Sequence, residues 1–77
     1  MEQKAILEKI DELCRKNGET DAAGLKDAME GMTAAEASKR ISELDEAGLL
    51  VTYEIDMCCG EELVVQGLTD AGAQMIG

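Results

Sequence analysis

Apolar residues recur along this chain first at helical and then at strand spacing, and the switch falls at Gly48. Across residues 2–16, Ile6, Leu7, Ile10, Leu13 and Cys14 form one stripe on an otherwise charged segment, which predicts an amphipathic helix. Arg15 and Lys16 suit the negative end of its dipole, and Asn17-Gly18 supplies a left-handed stop. Glu19-Thr20-Asp21 offers cap residues for a short second helix whose buried face is Leu25, Ala28 and Met29, ended by Gly31. Thr33-Ala34-Ala35-Glu36 has capping-box spacing: the threonine hydroxyl can accept from the Glu36 amide while the glutamate reaches back. Behind it, Ala34, Ala37, Ile41, Leu44 and Gly48 share one stripe, predicting a third helix over residues 34–47. Glu30-Gly31-Met32 has the length and composition of the tight turn in a helix-turn-helix.

Beyond Gly48 the period falls to two. Val51, Tyr53 and Ile55 alternate with Thr52 and Glu54, predicting a strand over residues 49–55. Residues 56–62 contain Gly60 and are expected as the loop of a hairpin, with the second strand over 62–68. Leu63, Val64 and Val65 are consecutive, so alternation does not choose the buried face of that strand. Thr69-Asp70 can cap a short last helix that returns Met75 and Ile76 to the core. Convergence of these stripes predicts a common core of Ile10, Leu13, Leu25, Met29, Ile41, Leu44 and Leu50.

The length, 77 residues, fits one domain over residues 1–77, since a second would leave neither part a core. Tyr53 is the one aromatic residue, so aliphatic side chains must build that core. No segment has the ~20 apolar residues that cross a bilayer, and no apolar signal-like stretch opens the chain, so no membrane partner is expected. Cys14, Cys58 and Cys59 are odd in number and unevenly spaced, unlike a disulfide framework, and a cytoplasmic location is expected. Adjacent cysteines point apart in extended chain, and there is no histidine to complete a metal set, so no cofactor is expected. The lack of histidine and of a phosphate-binding glycine loop also argues against an enzyme.

Charge changes the picture most. The net charge is −10, and all seven basic residues fall within residues 1–40, leaving residues 41–77 with eight carboxylates and no lysine or arginine. Such a half-chain repels phosphate backbones and attracts basic partners.

The order helix, helix-turn-helix, hairpin, short helix resembles a winged helix domain. Residues 35–50, Ala-Glu-Ala-Ser-Lys-Arg-Ile-Ser-Glu-Leu-Asp-Glu-Ala-Gly-Leu-Leu, look like the recognition helix and its exit in MarR-like bacterial transcriptional regulators. Leu68-Thr69-Asp70-Ala71-Gly72 is similar to the segment that closes the wing in those proteins, and Leu25 to Met29 looks like their positioning helix. The likeness spans residues 4–76 and implies an α+β, mainly α fold: a three-helix core, a β-hairpin wing and a short C-terminal helix. Regulators of that family carry further dimerisation helices, for which this chain leaves no room, so an isolated module of open oligomeric state is the nearer parallel. Small winged helices of ferrous-iron transport carry wing cysteines too, but spaced along the loop and not as an adjacent pair.

The resemblance implies transcription-related DNA binding or control. In a helix-turn-helix the start of the second helix meets base edges and its neighbours touch phosphate. That role falls here on Ser38, Lys39, Arg40 and Ser42, with Arg40 suited to a guanine edge, Lys39 to phosphate, and Lys26 adding a backbone contact. The opposing reading uses the acidic residues Glu54, Asp56, Glu61 and Glu62 of the hairpin as a surface for a basic protein, in one version as a DNA mimic. On that reading DNA is not bound. If the helix has no role in either, Lys39 and Arg40 simply pair with Glu36 and Glu43 on a solvated helix surface. Cys14 is expected in core packing and Cys58-Cys59 at the hairpin tip.

Overall fold

The computed structural model describes residues 3–57 and 60–77. Among them the fold is α+β and mainly helical, in the order α1 (Gln3–Asn17), β1 (Thr20–Asp21), α2 (Ala22–Ala28), α3 (Ala34–Glu46), β2 (Leu50–Met57), β3 (Gly60–Leu68) and α4 (Asp70–Ile76). No helix among the described residues is long and apolar enough to cross a membrane.

The helix ends follow from local chemistry. Asp21 caps α2 by accepting from the Gly24 amide at 2.9 Å, and Thr33 caps α3 by accepting from the Glu36 amide at 3.1 Å. Helix α3 ends in a Schellman motif. Gly48 stands at φ +77°, its amide donates to the Asp45 carbonyl, and the Leu49 amide donates back to the Leu44 carbonyl. Those bonds turn the chain into β2 while keeping Leu44 and Leu49 together in the core.

Strands β1, β3 and β2 form an antiparallel sheet in that order, so β3 is central and β2 is an edge. Thr20 and Asp21 pair with Val65 and Val64, and the same two valines pair with Thr52 and Tyr53 on the other side. The two-residue strand β1 was not expected from the sequence, because a pair is too short to carry a period. The register slips between Val51 and Thr52, leaving Gln66 as the extra residue of a bulge in β3. The bulge lets Leu68 and Val65, three residues apart, face the same side. This is why β3 shows no simple alternation.

The core lies between the helices and one face of the sheet, built from Ile6, Leu7, Ile10 and Cys14 of α1, Leu25 of α2, Met32 of the turn that follows it, Ala37, Ile41 and Leu44 of α3, and Leu49, Leu50 and Val65. Five of the expected core residues are buried in it. Leu13 and Met29 are only half-buried, at the margin of their stripes, while Met32 of the interhelical turn is buried instead. Ala34, expected on the α3 stripe, is exposed; so is Met75, whereas its neighbour Ile76 packs against the core. The expected loop at 56–62 is corrected as well, since β2 and β3 remain paired out to Met57 and Gly60. Cys58 and Cys59, expected at the hairpin tip, lie outside the described residues.

Val64 presents the opposite face of the sheet and is nevertheless buried. Its neighbour Tyr53 donates a 2.9 Å hydrogen bond to Glu19 Oε2, just before β1. Since β3 lies between β2 and β1, that link crosses β3 on the outer face and covers Val64. The single aromatic thus serves as a strap.

Candidate interaction face

Helix α3 splits the residues expected to act together. Ser38 and Ser42 line a cleft of about 310 Å³ with Ile41 of the same helix, Ala22 of α2, Glu54 of β2, and Glu62 and Leu63 of β3. Arg40, two residues on from Ser38 and so well round the helix, borders a smaller hollow with Gln3 and Ile6 of α1 and with Glu43 and Leu44. Its guanidinium is also engaged: Arg40 Nη1 lies 3.2 Å from Glu43 Oε1, both side chains being about half exposed.

Lys39 lies between these two sides, on the outward stripe of α3. Residues three, four and seven apart share a helix face, which aligns Glu36, Lys39, Glu43 and Glu46. The stripe presents one ammonium among three carboxylates, all exposed. Lys26 is exposed on α2. The expected pairing of Arg40 with Glu43 is present, whereas Lys39 has no carboxylate within ion-pair distance among the described residues.

On the hairpin, pairing with β3 sets the faces of β2. Thr52 pairs with buried Val65 and turns toward the helices, where its hydroxyl donates to Asp45 Oδ1 at 2.7 Å. Glu54 and Asp56 follow at period two on that same side, and Glu54 reaches the cleft. Both are exposed, and Glu62 is half-buried at the rim. Glu61 pairs with Asp56 in the backbone register, its side chain lying outside those described. The cleft is therefore walled by hydroxyls on the helix side and carboxylates on the strand side. Sequence reasoning named Ser38, Ser42, Glu54 and Glu62 but assigned them to two separate surfaces. Pleat direction joins them, and it needed the register of β3 to be read.

Among the described residues two side chains titrate away from their ordinary values. Burial first, and then the negative charge of Asp11, pushes the Cys14 thiol up, and its Sγ donates to the Val65 carbonyl at 3.5 Å. The hydrogen bond to Glu19 holds the Tyr53 phenol proton and raises its pKa. Cys14 thus behaves as packing, as its place on the α1 stripe suggested. Among the described residues no three potential metal-ligating side chains come together.

Comparison with protein-family models, with curated proteins and with solved structures finds no match to the chain.

Proposed function

We propose that this is a winged-helix module of transcription-related control whose third helix and hairpin engage a basic protein surface instead of duplex DNA. One observation carries the reading: the face that would meet DNA carries carboxylates on both elements, on the strand wall of the cleft and on the outward stripe of α3. Glu54 and Glu62 border the cleft under α3, and the outward stripe of α3 sets Lys39 among Glu36, Glu43 and Glu46. Each carboxylate held near a phosphate opposes the counterion release that drives association with nucleic acid. The same charges steer and hold lysines and arginines of a protein partner. The winged-helix reading is supported by the element order, with a strand between the first two helices and a hairpin after the third.

DNA contact is the second reading, favoured by the exposure of Lys26, Lys39 and Arg40 on the two helices that a helix-turn-helix would bring to DNA. Titration of a labelled duplex and of a lysine-rich peptide at about 50 mM salt separates the two, since nonspecific DNA binding is strong there. The protein-partner reading expects the peptide to bind, Glu54→Lys to weaken it, and the duplex to stay free. A duplex shift whose salt dependence flattens by about one unit of slope in Lys39→Ala would establish DNA binding instead.

A further inference from the structure

Strand β2 is the molecule's open seam. In the sheet order β1, β3, β2, only one side of its backbone is paired among the described residues. Native sheets blunt such edges with proline, bulges, very short strands or charged side chains, lysine above all. On β2 the charges are Glu54 and Asp56, which repel an acidic strand but attract a basic one. Here the edge strand runs eight residues, the bulge falls on β3, and the chain holds no proline and no basic residue after Arg40. From Tyr53 to Asp56 every side chain is exposed on both faces. Those faces differ in kind. Val51, Tyr53 and Ile55, at 42, 37 and 39% exposure, form an apolar row, while Glu54 and Asp56 form an acidic row on the cleft side.

We propose that the free edge of β2 accepts an extended segment of a partner protein as an added antiparallel strand, in which basic residues alternate with apolar ones. The proposal rests on the basic-partner reading above and gives it a binding mode. Main-chain hydrogen bonds to the vacant edge supply the attachment, and the two rows select the side chains. On one face, lysine or arginine meets Glu54 and Asp56; on the other, valine or isoleucine extends the row of Val51, Tyr53 and Ile55. A second copy of the chain is the poorer occupant, because its β2 is equally acidic and two chains of net charge −10 repel.

The test is titration, at about 0.15 M salt where surface charge is well screened, with a peptide alternating lysine and valine over the length of β2. Its controls are a block peptide of the same composition and two N-methylated forms, one methylated at every valine and the other at every lysine. Methylation removes the amide donors on one edge of the added strand and leaves the charge unchanged. The proposal expects one methylated series to lose binding and the other to keep it, with the block peptide weaker by about tenfold or more. It also expects Glu54→Lys with Asp56→Lys to weaken the parent peptide comparably while circular dichroism stays unchanged. Equal binding of both methylated series would overturn edge addition and leave the basic-partner reading standing. Failure of every basic peptide to bind would overturn both. Self-association of the free protein in sedimentation, lost in the double charge reversal, would overturn the partner assignment in favour of a second copy.

Discussion

The two strands of the hairpin are near equals in length and apolar content, yet they do opposite work. Strand β3 is paired on both sides at Val64 and Val65 and covered on both faces, by the core on one and by the Tyr53–Glu19 link on the other. Among the described residues strand β2 is paired on one side only, and beyond Thr52 all its described side chains are exposed. The clean alternation of β2 marks a strand half in water. The unbroken Leu63-Val64-Val65 run marks a central one, as expected when both faces are buried. A partner can therefore be added to β2 at little cost to the fold, which is anchored in β3 and the helices behind it.

The largest expected contrast lies between that anchor and the exposed edge. Leu44 is 2% exposed in the core cluster, so Leu44→Ala should cost roughly 2–5 kcal/mol in chemical denaturation. A loss under about 0.5 kcal/mol would mean that α3 does not hold the core. Within the hairpin the comparison is sharper. Val65→Ala should cost roughly 2–3 kcal/mol, because its side chain is wholly buried. Ile55→Ala should cost less than about 1 kcal/mol, as its side chain is already largely in water. Equal costs would erase the distinction between the strands.

A smaller effect comes from the thiol that touches β3 from α1. In a Cys58→Ser, Cys59→Ser background only Cys14 remains, and it should react with a thiol reagent far more slowly folded than denatured. Its folded pKa lies above that of the unfolded chain. The buried thiol therefore contributes its full share of stability below the unfolded value, and that share is lost as pH rises from about 8.5 through the folded value. Denaturation midpoints that rose between pH 8 and 10 would contradict the sign.

Much of the fold is legible in the residues, because the helices are specified locally. Caps at Asp21 and Thr33 and stops at Gly18 and Gly48 need only their neighbours. What escapes the sequence is tertiary. The strand at Thr20-Asp21 exists only because Val64 and Val65 lie beside it, and the bulge at Gln66 reassigns faces that alternation alone leaves open. The candidate face was half legible for the same reason. Residue type and helix position single out Lys39, Arg40, Glu54 and Glu62, but strand register alone puts Glu54 opposite Ser38 and Ser42 across a cleft and helix geometry turns Arg40 away from it.

Amide hydrogen exchange of the free protein tests most directly whether β2 stands open while β3 holds the fold. Val64 and Val65 should both exchange slowly, near the rate set by global unfolding, because each is flanked by strands. Every second amide from Thr52 to Asp56 should exchange close to the rate of an unstructured peptide, as expected for donors on an unpaired edge. Continuous protection along β2, equal to that of β3, would contradict the account, for the edge would then already be covered.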